Sequence, residues 1–411
     1  MRPADWQPLG PVWARAGATV ESGSLWARSG GQWLTDPAVG VPVGVVRSLV
    51  ELVEFLDLHG AGLADISSAS GVGVVAERAA CLGLPPAGAV TAGGAGRLLR
   101  CRDGWVAVSI TRESDIDVIP AWLDVPPTGP DPWPVVERAL ATRAVAEVRD
   151  RAALLGLACG ALGERSDDRS PVLGDRRGEA GPRPVAGLVV VNLASLWAGP
   201  LAADVLARSG ARVITVESTT RPDGARATPE FFEALHGRCE SVALPLGTEE
   251  GRRRLARLLE RADVVIEGSR PRALEQMGID AVELVERGPR LWVSITAHGR
   301  AGDSGMRVGF GDDAAVAGGL VGWVDGEPRF LADAIADPLA GLTAAASVVQ
   351  LAASGGRWMV DVALARVAAA ASAGFAPPEG EAAPPSRRRD PGAPLPLGRD
   401  TEAVLADLGI P

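Results

Sequence analysis

Two hydrophobic periods alternate along the chain from Val185 to about Ala370. Val185–Leu193 (VAGLVVVNL) is a nearly unbroken apolar run, the pattern of a strand buried on both faces. Ala198–Ser209 follows with helical spacing, placing Leu201, Val205 and Leu206 on one face, and stops at Gly210. Arg212–Glu217 (RVITVE) reads as the next strand, completing a β-α-β unit. The pattern then repeats. Thr248 is placed to cap a helix through Arg261, with Glu249 and Glu250 complementing the dipole in its first turn. Ala262–Glu267 is a strand, Pro271 opens a short helix ending near Gly278, and Leu291–Thr296 is another strand. Strands alternating with helices predict an α/β fold: a Rossmann-like parallel sheet flanked by helices.

The earlier part of the chain has a different rhythm. Leu98–Ile110 predicts a hairpin turning at Asp103-Gly104, and Glu137–Leu155 predicts a helix. These define a second, smaller α+β domain. The predicted organisation is a helical segment over 1–90, the small domain over 91–164, a linker over 165–184 and the large α/β domain over 185–376. A Pro/Arg-rich linker over 377–398 and a C-terminal helix over 399–411 complete it. Within the second linker, Arg387–Arg389 reads as a solvated charge run.

Composition narrows the chemistry. Forty-one basic residues against 51 acidic ones give a net charge of −10, which disfavours nucleic acid as the principal partner. All the basic residues are arginines and tyrosine is absent, so neither a lysine Schiff base nor a catalytic tyrosine can be built. Four cysteines without a CxxC pair and three scattered histidines argue against a disulfide frame or a metal site. The start MRPADWQPLG has no apolar stretch of signal-peptide length, and the longest apolar run, near Leu342–Ala353, is too short to span a bilayer. The expectation is a cytoplasmic protein with no membrane association.

Several segments of Val185–Ala370 in combination resemble the family III CoA-transferases, the group of formyl-CoA:oxalate transferase, carnitine CoA-transferase and α-methylacyl-CoA racemase. They are LASLWAGPLAADVLARSGARVITVE, RPDGAR at 221–226, SVALPLGTEEGRRRLARLLERADVVIEGSRPRALEQMGI, PRLWVSITAHGRAG, LADAIADPLAGLTAAASVV and MVDVAL. The order is permuted: GGAGRLLRCRDGWVAVSI at 93–110 looks like the family's small-domain glycine loop and hairpin, yet it precedes the α/β region. Residues 29–36 look like a degraded copy of the loop at Gly318–Val324.

The resemblance implies transfer of CoA from an acyl-CoA donor to a carboxylic acid, through a covalent aspartyl intermediate. It places the nucleophile at Asp337. The pair Asp337-Pro338 fits an N-cap and first-turn proline equally well, and the two roles can coexist. Asp333 is the lesser candidate, more in keeping with a solvated loop carboxylate. The resemblance places CoA contacts at Leu196, Trp197, Ala198, Gly199, Arg226, Leu235, Arg238, Gly268, Ser269 and Arg270, and an active-site loop at Gly93, Gly94 and Gly96. Trp197 fits either a base-stacking surface or a core tryptophan, and Arg226 and Arg270 either phosphate ligands or surface charges. CoA enters as part of the substrates, and no other cofactor or metal is implied. The resemblance also implies an interlocked homodimer.

Three departures keep other functions open. Gly268-Ser269 stands for the family's Asn-Phe, Gln276 for a frequent basic residue, and His236-Gly237-Arg238 for an Asn followed by basic residues. Phe310 occupies the position of the racemase branch's histidine, which disfavours two-base proton exchange. An acyl-CoA isomerase or lyase, or a non-catalytic CoA-ester binding protein, therefore stands beside the transferase.

Overall fold

A computed structural model describes residues 22–411 apart from Arg169 and Pro394. The first 21 residues of the predicted N-terminal segment, including the stretch read for a leader, lie outside the described residues. The rest of that segment supplies α1 (Val43–Asp57) and the short α2 (Glu77–Leu82). The small domain follows, a three-stranded antiparallel sheet of β1 (Gly96–Cys101), β2 (Gly104–Ser109) and β3 (Ala158–Ala161). Its hairpin turns at Arg102–Asp103, one residue from the expected place. The helix expected over 137–155 is two helices, Trp133–Leu140 and Val145–Leu155, because Ala144 is extended and breaks the run.

The large sheet contains β4 (Val172–Gly178), β5 (Val189–Asn192), β6 (Arg212–Ser218), β7 (Glu240–Leu244), β8 (Val264–Glu267), β9 (Leu291–Thr296) and β10 (Arg357–Ala363). Its order is β4-β10-β9-β8-β5-β6-β7, parallel except for β4. Counted from β5, the parallel strands run 3-2-1-4-5-6, the doubly wound order that opens a crevice where the chain direction reverses, beyond the ends of β5 and β8. The fold class read from periodicity is thus the observed one. One element differs from the sequence expectation of a linker. The Gly/Pro/Arg-rich stretch 165–184 holds β4, paired with β10 from Val172↔Val362 to Arg176↔Trp358, with a register shift before Gly178↔Arg357. Its polarity suits an edge strand, half of which faces water.

Helices α3 (Ala198–Arg208), α4 (Pro229–His236), α5 (Glu249–Arg261), α6 (Gly311–Ala317), α7 (Ala336–Ser354) and α8 (Leu364–Ala371) complete the frame. Thr248 caps α5 by accepting from the Gly251 N–H. One face of the sheet packs on α3 and α7, and Trp26, Leu49 and Leu52 of the N-terminal segment join that same core. Most of α7 is buried: it is long and apolar enough to cross a membrane by composition, yet 83% of it lies inside the protein. The small sheet buries Leu99, Val106 and Val108 in its own core and turns Leu98 and Ala107 toward Val316 and Phe330 of the large domain. Helix α6 is held at that junction, so both domains position what it carries.

The second linker is not a mobile spacer at its centre. Arg388 is 5% exposed, and its guanidinium joins Glu77 Oε2 (2.6 Å), Asp204 Oδ2 (2.6 Å) and the Ala234 carbonyl (2.7 Å). Two buried carboxylates offset one buried cation, which is why this arginine leaves water while its neighbours do not. Arg387 pairs with Glu230 near the surface, and Arg389 donates to the Asp65 carbonyl.

Candidate active site

Four aspartates converge where α6, α7 and the loop between them meet. Asp337 is the second residue of α7, and the N-cap position is Ile335. The aspartate is therefore not the cap that its Asp-Pro context suggested. The residue is partly buried. Burial pushes it up to about 7 against the Arg78 charge, with Asp333 and Asp313 adding to the rise and the Gly311 N–H opposing it. A Cβ on Gly311 would strike both Asp337 Oδ2 and the Ala334 carbonyl oxygen. Only glycine brings an amide that close to the carboxylate. Gly311→Ala is expected to force the Asp337 carboxylate and the Ala334 carbonyl aside at a cost of about 1–3 kcal/mol, read by urea titration.

Asp333 is not the solvated carboxylate that the sequence suggested. Its side chain is fully buried and pairs with Arg78 Nη1 at 2.5 Å. The reason is local backbone: Ala332 (φ 51°) and Ala334 (φ 42°) both adopt the left-handed region and turn Asp333 inward. Asp312 Oδ1 accepts from the Ala334 N–H (3.0 Å) and fixes this strained loop. Burial, then Asp333, hold the Asp312 carboxyl well above its ordinary range. Asp313 accepts from Ser109 Oγ and from the Phe310 N–H, each at 3.0 Å, which ties the small domain to the start of α6. Burial pushes Asp313 up to about 7. Among the described residues, no group of three or more His, Cys, Asp or Glu is arranged to hold a metal ion.

The glycine loop reaches the same place from the small domain. Gly96 opens β1 with its N–H on Thr91 Oγ1 (3.0 Å), and Gly94 has φ 77°. A Cβ on Gly93 would sit 3.4 Å from Arg78 Nη2. Arg78 thus stands between the loop and Asp333.

The predicted CoA contacts divide into two groups. Leu196, Gly199, Gly268, Ser269 and Arg270 gather around the crevice beyond β5 and β8. A Cβ on Gly199 would strike Ala194, and one on Gly268 would lie 3.2 Å from the same residue. Leu196 has φ 69° and is 44% exposed; Asp223 holds it there by accepting its N–H at 3.1 Å. Asp223 is in turn held by Glu217, which accepts from the Asp223 N–H at 2.9 Å. Arg270 is exposed, and its side chain has no partner among the described residues.

The second group is internal. Trp197 is 2% exposed and packs edge-on to Phe231 at 5.4 Å, so its ring is a core element and not a stacking surface. Ala198 and Leu235 are buried. The Arg226 guanidinium is engaged by Glu217 (2.8 and 2.5 Å) and the Leu395 carbonyl (2.9 Å), and it lies over the Phe232 ring. Arg238 pairs with Asp204 and Asp390. His236 is fully buried, with Nδ1 on Thr215 Oγ1 (3.2 Å). His298 is buried too, and burial keeps it well below its ordinary value, so it is neutral. All four cysteines are free, and burial pushes the Cys239 thiol up to about 12.

The residues overlooked in the sequence are Arg78, Asp312, Asp313 and Ser109. Arg78 is the one cation in the apolar stretch Gly71–Leu84, and Asp312-Asp313 stands at a helix start; each was a readable signal.

Residues 185–395 match CoA-transferase family III, just over half of the chain, and the chain belongs to that family. It is 30% identical over 184 residues to a probable fatty acyl-CoA transferase of Mycobacterium tuberculosis, covering 41% of this chain and 46% of the relative. It is 32% identical over 185 residues to a succinate–glutarate CoA-transferase of Agrobacterium fabrum, covering 40% and 46%. A solved CaiB/BaiF family protein from Brucella suis aligns with a TM-score of 0.41 and 31% identity, over 46% of this chain and 55% of that one. The chain spans about half the length of the curated relatives it matches.

Proposed function

We propose that this protein transfers CoA from an acyl-CoA donor to a carboxylic acid, with Asp337 as the nucleophile. The supporting observation is the placement of Asp337: a partly buried residue whose carboxylate sits beside the Gly311 amide, with the glycine loop of the same chain across Arg78. In this reading Asp337 attacks the donor thioester carbonyl, forming a mixed anhydride and expelling CoA thiolate. The thiolate attacks the Asp337 carbonyl, forming the enzyme thioester and releasing the donor acid. The acceptor carboxylate then attacks that thioester, giving a second mixed anhydride and CoA thiolate. Thiolate attack on the acceptor's acyl carbon yields the new acyl-CoA and restores Asp337. Each covalent step is easier than direct exchange.

The CoA chain would lie along the crevice at Leu196, Gly268 and Ser269, with Arg270 near its phosphates; Gly199 serves by letting α3 pack closely on Ala194. Both the nucleophile and the glycine loop come from one chain, so the reading does not require a second copy to complete the site; a homodimer remains part of what the family implies.

The test is a matrix of acyl-CoA donors and carboxylic acids, with products separated by chromatography. Formation of the acceptor's CoA ester in proportion to donor loss supports transfer. Donor hydrolysis alone, or no turnover with CoA binding intact, would favour the second reading, a non-catalytic CoA-ester binder. The engagement of Arg226 and Arg238 by internal partners is the observation that favours this alternative. Racemisation has no such support, since Phe310 offers no titrating group.

A further inference from the structure

We infer that Arg78 is the receptor for the acceptor's carboxylate and so sets the requirement for an anionic acceptor. The inference rests on the transferase reading. An acceptor carboxylate must reach the thioester on Asp337 in the field of the neighbouring Asp312 and Asp333 carboxyls, and bringing another anion there without a counter-charge is costly. The charge of Arg78 acts on Asp312, Asp333 and Asp337, and among the described residues it is the cation that acts on Asp337.

Its geometry leaves one end open. Nη1 is held by Asp333 at 2.5 Å, while Nη2 faces the side-chain-free surface of Gly93. The side chain is 28% exposed, so it is anchored by a buried partner yet reachable. Among the described residues the Gly93 N–H has no acceptor, whereas the Gly94 N–H bonds to the Thr91 carbonyl (2.9 Å). A carboxylate seated against Nη2 would meet a planar donor fixed in place, the condition under which guanidinium recognises carboxylate well. The two halves of the reaction use Arg78 differently: loading of Asp337 by the donor needs no acceptor, while discharge does.

The experiment separates those halves in Arg78→Met and Arg78→Lys. Loading is read as the CoA adduct by intact-protein mass after donor alone. Discharge is read as adduct loss on adding acceptor acid, and in parallel on adding neutral hydroxylamine. For Arg78→Met the expected result is loading reduced no more than about tenfold, discharge by acid reduced at least about a hundredfold, and discharge by hydroxylamine near wild type. Arg78→Lys should recover part of the acid discharge. Equal loss of acid and hydroxylamine discharge, or an unchanged acceptor KM, overturns the inference. Should Arg78→Met fail to fold with Asp333 left unpaired, Arg78→Met combined with Asp333→Asn removes both charges and carries the same comparison. Absence of any adduct on the wild type would instead count against the transferase reading itself.

Discussion

Asp337→Ala is expected to lose at least about 10⁴-fold in transfer while keeping its fold, the scale seen when a covalent nucleophile is removed. Incubated with an acyl-CoA donor, the wild type should gain the mass of a CoA or acyl adduct, and the variant should gain none. The wild-type rate should also depend on pH. Only the ionised carboxylate attacks, and burial raises its pKa to about 7, so log rate should fall about one unit per pH unit below that value. The same shift has a stability consequence of opposite sense. The folded pKa lies above the unfolded one, so the folded state binds the proton more tightly. Stability is therefore lost as pH rises from about 4 to about 7, and the cost is fully present above that window. Asp337→Asn removes a group that must be ionised in a buried place. It should melt roughly 5 °C higher than the wild type at pH 8 and show no such gain near pH 4. A nucleophile variant no more stable than wild type at pH 8 would mean that the carboxylate is better solvated than its surroundings imply.

Arg388→Met should destabilise the protein by about 3–5 kcal/mol, because it leaves Glu77 as a buried charge without its partner, while Asp204 keeps Arg208 and Arg238. Urea titration reads that loss directly. Removing the carboxylate as well, in Arg388→Met with Glu77→Gln, should recover part of it, and the recovery measures the coupling. The variant should also transfer CoA more slowly. Glu77 and Arg78 are consecutive in α2, so the contact that holds one places the other opposite Asp333. A loss under 1 kcal/mol would falsify the claim that this linker is part of the packed structure.

The large sheet was legible because it is built from continuous apolar strands and capped helices, signals that depend on nearby residues alone. Leu291–Thr296 appears as read, and Thr248 caps the helix it was expected to cap. The family's motifs are what single out Asp337, Gly199 and Gly268 for the proposed site. Edge and ion-pair features were not legible, since their cause lies hundreds of residues away. Strand β4 is polar because only β10 covers it, and Arg388 is buried because Glu77 and Asp204 meet it. Asp333 read as a solvated loop residue because nothing nearby in sequence announces Arg78. Trp197 was ambiguous for the opposite reason, since a tryptophan beside a turn suits a ligand or a core, and only Phe231 decides.

The ion pairs that bind α2 to the rest of the protein span 255 residues to Asp333 and 311 to Arg388. A chain emerging from the ribosome makes α2 long before either partner exists. Residues 22–90 must therefore wait, with Trp26, Leu49 and Leu52 uncovered, until α3, α7 and the segment around Arg388 have been synthesised. Contacts of such sequence separation also slow folding in free solution. The pairing of Arg78 with Asp333 thus forms late, after more than three quarters of the chain has been made.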